Sequence, residues 1–150
     1  MTWSIVTHDP AAGAFAVAVA TCAFAVGASC PFVRAGVGAV STQSMTNRYL
    51  GPAILDGFSR GLDPASAIES ALAGDAGSGL RQVHAVDRHG RTAAWTGQNC
   101  VEWCGSLAAE GVSGLKATKR VRSRKESASG AVSASIAAWP LRGHAGGKAG

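Results

Sequence analysis

The chain opens on alternation. Residues 3–7 and 15–21 place large apolar side chains and small or polar ones at period two, which predicts two strands. Between them Asp9-Pro10-Ala11-Ala12-Gly13 is strong turn chemistry, so the first segment reads as a hairpin. Residues 37–43 read as a third strand, whose glycines suit close packing against a neighbouring layer. The period then lengthens. Residues 49–59 predict a helix, and Asp63 followed by Pro64 is an N-cap with proline at the first helical position. Ala67, Ile68, Ala71 and Leu72 share one face of this second helix, and Gly74 closes it. Residues 82–86 and 92–96 return to strand character around the Asp87-Arg88-His89-Gly90 turn.

Three strands, two helices and two more strands are not a βαβ alternation, which excludes a doubly wound parallel sheet and predicts an antiparallel α+β fold. Composition fits a globular protein of one domain: 150 residues, 47% hydrophobic and 15% charged. The formal charge of +5 is unevenly placed. Residues 1–113 carry six arginines, no lysine and eight acidic side chains, a net −2, whereas residues 114–150 carry eight basic and one acidic, a net +7. The globular part therefore gives no electrostatic reason to bind nucleic acid. Six of the ten side chains in residues 116–125 are basic, but no aromatic residue is interleaved there for base stacking. From Pro10 to Val33 no residue is charged, yet the Ala/Gly/Ser content and the preceding Asp9 suit a buried strand pair better than a signal or membrane segment. Without a secretion signal, Cys22, Cys30, Cys100 and Cys104 are expected as free thiols in a reducing, cytoplasmic setting.

Candidate chemistry begins at Thr2. Once Met1 is removed, a threonine at the chain start carries a hydroxyl nucleophile and an α-amine whose ordinary pKa, about 7.7–8.0, lets it act as general base. Placement at the head of a strand would hold that hydroxyl firmly. Ser41, Thr42 and Gln43 could offer donors to a developing oxyanion, a polar strand end being the competing explanation. Arg81 could bind a substrate carboxylate, and Asn47 either contacts substrate or caps the following helix. Cys100 and Cys104 lack the further ligands of a zinc signature, and His84 and His89 have no evident partner, so no metal and no cofactor is expected.

Met1-Thr2-Trp3-Ser4-Ile5-Val6, Asp9-Pro10, Phe24-Ala25-Val26-Gly27, Arg34-Ala35-Gly36-Val37-Gly38-Ala39, Ser41-Thr42-Gln43, Tyr49-Leu50-Gly51-Pro52, Arg81-Gln82, Asp87 to Arg91, Thr96-Gly97 and the 100–105 segment resemble, in collinear order, a bacterial family. That family is domain of unknown function 1028, placed in the N-terminal-nucleophile (Ntn) hydrolase superfamily. The resemblance implies a four-layer αββα sandwich and amide-bond hydrolysis. It also exposes two departures. Position 22, often basic in relatives, is Cys22, which cannot supply the positive charge that tunes such a nucleophile. After Ser113, Gly114-Leu115-Lys116-Ala117 replaces the family's continuation, as a reading-frame shift would. The expected organisation is thus an N-terminal part of an Ntn-hydrolase-like domain over residues 1–113, incomplete at its C-terminal side, followed by a basic Ser/Ala/Gly-rich disordered tail over residues 114–150.

The expected function is that of an Ntn amidohydrolase in which Thr2 attacks a small-molecule or peptide-like amide. The alternative is a non-catalytic small-molecule-binding or scaffold protein. No specific nucleic acid and no membrane is expected as partner, and self-association is expected from an incomplete layer.

Overall fold

A computed structural model describes residues 1–101, 103–118 and 133–139. Its first sheet is built on the N-terminal hairpin, β1 (Thr2–Asp9) and β2 (Ala14–Thr21), paired in full from Thr2↔Thr21 to Asp9↔Ala14. Asp9 accepts the amides of Ala11 and Ala12, and Gly13 takes a positive φ of 59°, which closes the turn. The second sheet contains β3 (Pro31–Arg34), β4 (Gly38–Ser44), β5 (Arg81–Asp87) and β6 (Thr92–Thr96) in that order, all antiparallel. Two further strands, β7 (Trp103–Ala109) and β8 (Val112–Thr118), form a hairpin on the β1 edge, and β9 (Ser133–Trp139) lies on the β2 edge. The first sheet is therefore ordered β7-β8-β1-β2-β9.

The helices α1 (Leu50–Ser59) and α2 (Pro64–Ala73) sit between β4 and β5 in sequence. Asp63 caps α2 by accepting the amides of Ala65 and Ser66, with Pro64 in the first turn. Both helices pack on the outer face of the second sheet, where Ile54, Leu55, Phe58, Ile68 and Leu72 bury against Val40, Val83 and Ala85. The inner faces of the two sheets make the other core, from Val6, Phe15, Val17, Val19, Val26, Ala39 and Val86. Each of these valine, leucine, isoleucine and phenylalanine side chains contributes about 1.5–3 kcal/mol by leaving water.

The expected αββα sandwich is corrected by this arrangement. The described residues form three layers, helices on sheet on sheet, and the chain is mostly β. Among the described residues the two α-helices both lie between β4 and β5 in sequence, and they pack on the sheet to which those strands belong. The outer face of the first sheet carries Trp3, Ile5 and Leu107 exposed. The expected boundary after Ser113 falls inside β8, whose Leu115 and Ala117 are buried. Of the tail expected to be disordered over residues 114–150, residues 114–118 belong to β8 and residues 133–139 form β9, while residues 119–132 and 140–150 lie outside the described residues.

Candidate functional site

Thr2 heads β1, a central strand, and its Oγ1 lies 2.8 Å from Thr21 Oγ1 across the hairpin. Thr21 is buried and Thr2 half-buried. The Thr21 hydroxyl also accepts the amide of Ala23, so the Thr2 side chain is tied to the point where β2 turns into the next segment.

Side-chain bonds between the sheets show what lies near this end. Gln82 Nε2 donates to the carbonyls of Gly105 and Lys116, and Lys116 pairs with Trp3. Two residues further along β5, His84 bonds both Ser4 and Ser113. Rising residue numbers on β5 therefore follow rising numbers on β1. Thr2 lies level with Arg81 at the start of β5 and with its pairing partner Ser44 at the end of β4. Among the described residues four connections gather here: residues 22–30, 45–49, 74–80 and 97–101. Among the described residues the non-glycine positions with positive φ are Ala25 at 54°, inside the first of them, and Ser44 at 71°, just before the second.

Beneath Thr2 a buried polar chain crosses the interface. Ser4 Oγ donates to Gln43 Oε1 at 2.9 Å, and Gln43 Nε2 donates to Gln82 Oε1 at 2.7 Å. Ser4 has only one proton, so the 2.9 Å contact with His84 Nε2 must be donated by the imidazole. His84 Nδ1 then accepts from Ser113 Oγ at 3.1 Å, which fixes a neutral Nε2–H tautomer. Burial lowers the His84 pKa to about 3, consistent with a ring that stays uncharged.

The other candidates fall around this frame. Ser41 and Gln43 face the first sheet, whereas Thr42 faces away and donates to Ser29 O at 3.2 Å. The Gln43 amide is committed to Gln82, and the buried Ser41 Oγ has no hydrogen-bond partner. The strand alternation thus separates three residues that read as one donor set. Arg81 and Asn47 do come together, through Asp75. Arg81 donates to both Asp75 carboxylate oxygens at 2.8 and 3.0 Å, and Asn47 Nδ2 donates to one of them at 3.0 Å. The guanidinium holds the Asp75 carboxyl far below the usual carboxylate range. Asn47 Oδ1 also accepts the amide of Tyr49 ahead of α1. Asp75, Ser4, Gln82 and Ser113 escaped the sequence reading because polar residues on strands and turns resemble solvated positions until a second layer covers them.

All four cysteines are free thiols. Cys22 and Cys104 are exposed, while Cys30 is buried and its thiol is pushed up by desolvation. Among the described residues no cluster of three His, Cys, Asp or Glu side chains could hold a metal ion, and no helix is long and apolar enough to cross a membrane.

Two face-to-face antiparallel sheets, helices on one of them and a hydroxyl heading a central strand define the class of domain. The chain belongs to DUF1028, a family of unknown function, which matches residues 2–115. It is similar to a protein of that family from Silicibacter pomeroyi whose crystal structure is known, at 29% identity and a TM-score of 0.73. The match covers 76% of this chain and 51% of the other, so this chain spans about half the length of that relative. No curated protein matches it.

Proposed function

We propose that the protein is an amidohydrolase of the Ntn type, acting on a small-molecule or peptide-like amide, with Thr2 as nucleophile after removal of Met1. The observation that carries this reading is the placement of the Thr2 hydroxyl, half-buried at the head of a central strand and held by Thr21 at 2.8 Å. The hydroxyl oxygen attacks the amide carbonyl while its proton passes to the Thr2 α-amine. That proton then goes to the departing nitrogen as the C–N bond breaks, leaving an ester on Thr2. Water attacks the ester, releases the acid and restores the hydroxyl.

A second reading, a binding protein that keeps the fold without the reaction, is favoured by two features. Position 22 beside the Thr21–Thr2 pair is Cys22 rather than a base, and the Arg81 guanidinium at this end is already paired with Asp75.

Intact mass and peptide mapping after treatment with a β-lactone decide between them. The hydrolase reading expects loss of Met1 and an adduct on Thr2 that disappears in Thr2→Ala and persists in part in Thr2→Ser. Cys22 and Cys104 are the competing exposed nucleophiles, so the adduct must be mapped. Retained Met1, or an adduct confined to the thiols, would sink the catalytic reading.

A further inference from the structure

We infer that Asp75 and Arg81 are positioning residues that clamp the 45–49 segment into one wall of the Thr2 site, with Met45 as its specificity contact. The name of that site rests on the hydrolase reading; the clamp itself does not.

The observations converge on one short segment. β4 ends at Ser44, whose φ of 71° turns the chain sharply away from the sheet. A non-glycine residue in that region costs about 1–2 kcal/mol, so surrounding bonds must hold it. They are present. Arg81 Nη1 donates to the carbonyl of Met45 at 2.6 Å, and the Met45 amide donates to Leu80 O at 3.3 Å. Asp75 takes the other two guanidinium bonds and also Asn47 Nδ2, so one carboxylate joins the start of β5 to the middle of the turn while its partner Arg81 holds the turn's first residue. Asp75 is in turn fixed by the Gly77 amide at 3.0 Å. The pair is shielded from solvent, with side-chain exposures of 18% for Arg81 and 8% for Asp75. The far side of the segment meets the 22–30 connection, where Thr46 Oγ1 lies 3.9 Å from Cys30 Sγ.

Such bracing would be idle if the turn only joined two elements, yet it presents large apolar side chains to solvent. Met45 is 60% exposed and Phe24, on the neighbouring connection, 98% exposed. The turns at the opposite end of the sandwich carry instead Asp9, Arg88, His89, Arg91 and Glu110. Among the described residues, the exposed large apolar side chains carried by connections, Phe24, Met45, Tyr49 and Leu80, stand at the Thr2 end, and the clamp sets the position of Met45. A substrate with an apolar group beside the cleaved carbonyl fits this wall.

The full-length protein is to be compared with Asp75→Ala and Arg81→Lys, which keeps the charge and loses the fork. Amide exchange in residues 45–49 should accelerate about tenfold in Asp75→Ala while β1, β2 and the rest of β5 keep their protection. Labelling of Thr2 by a β-lactone with an apolar side chain should show a half-saturation concentration raised about fivefold at an unchanged maximal rate, with Arg81→Lys in between. Met45→Ala should raise half-saturation for that lactone and not for an unsubstituted one. Unchanged exchange at 45–49 in both variants overturns the clamp, and a fall in maximal rate alone overturns the wall. If wild-type Thr2 takes no label, the hydrolase reading fails. The clamp then stands or falls on exchange, which needs no reaction.

Discussion

His84 illustrates how one side chain's surroundings become a property of the whole protein. Its two nitrogens are satisfied by Ser4 and Ser113, and burial has lowered its pKa to about 3. An unfolded chain restores the ordinary value of about 6.5. Between these limits the unfolded state binds a proton that the folded state does not, so stability is full above the unfolded value and declines as pH falls toward the folded one, by up to about 1.4 kcal/mol per pH unit. Asp75 and Asp63, whose carboxyls are lowered by Arg81 and by Ser66 respectively, add stability that is lost only below the ordinary carboxylate range. The interval from about pH 4.5 to 6.5 therefore isolates the histidine. Urea midpoints of the wild type should drop across that interval, and those of His84→Gln should be nearly flat there. Equal slopes would assign the acid sensitivity to another group.

At the scale of elements, the tightest contact at the Thr2 end is backbone on backbone. A Cβ on Gly97, just after β6, would collide with the carbonyl group of Gly79 and the Ser78 oxygen in the turn that leads into β5. Gly97 also donates its amide to Arg81 O, and no rotamer change can relieve a clash with main chain. Gly97→Ala should cost about 1–3 kcal/mol in denaturant unfolding, and a neutral substitution would show that the two segments can part without loss. This packing was illegible in the sequence, where Thr96-Gly97 is only a strand followed by a breaker. What could be read was whatever repeats locally: the alternation of β1 and β2, the Asp63-Pro64 cap of α2, and β6 at its observed limits. β3 escaped because Pro31-Phe32-Val33-Arg34 is short and does not alternate. β7 escaped because all its residues are exposed, as befits an edge strand without a buried face. The buried relay was hidden for the opposite reason. Ser4, Gln43, Gln82 and His84 have polar side chains whose partners lie in the other sheet, and no local pattern encodes which sheet covers which.

For the whole molecule, the decisive feature is the asymmetry of its layers. The second sheet is covered on both faces, by α1 and α2 outside and by the first sheet inside. On the outer face of the first sheet, Trp3 is 45% exposed, Ile5 38% and Leu107 81%. Ile5 and Leu107 both pair with Gly114, one from each side, so the missing side chain leaves a trough between them. Gly105 and Lys116 extend it beside Trp3, and the resulting open groove has a volume of about 430 Å³. A contiguous apolar surface of this kind binds hydrophobic dyes and promotes association. The dye anilinonaphthalene sulfonate should therefore fluoresce with the native protein at neutral pH, while the near-ultraviolet dichroism of its tryptophans remains intact. That second signal separates a native groove from a loosened core. Replacing Ile5 and Leu107 together by lysine should remove most of the enhancement and leave the unfolding midpoint nearly unchanged, because both side chains point away from the packed interface. If the enhancement survives the double substitution, the dye sits elsewhere, and the groove between α2 and β6 lined by Ile68, Leu72 and Trp95 becomes the place to look.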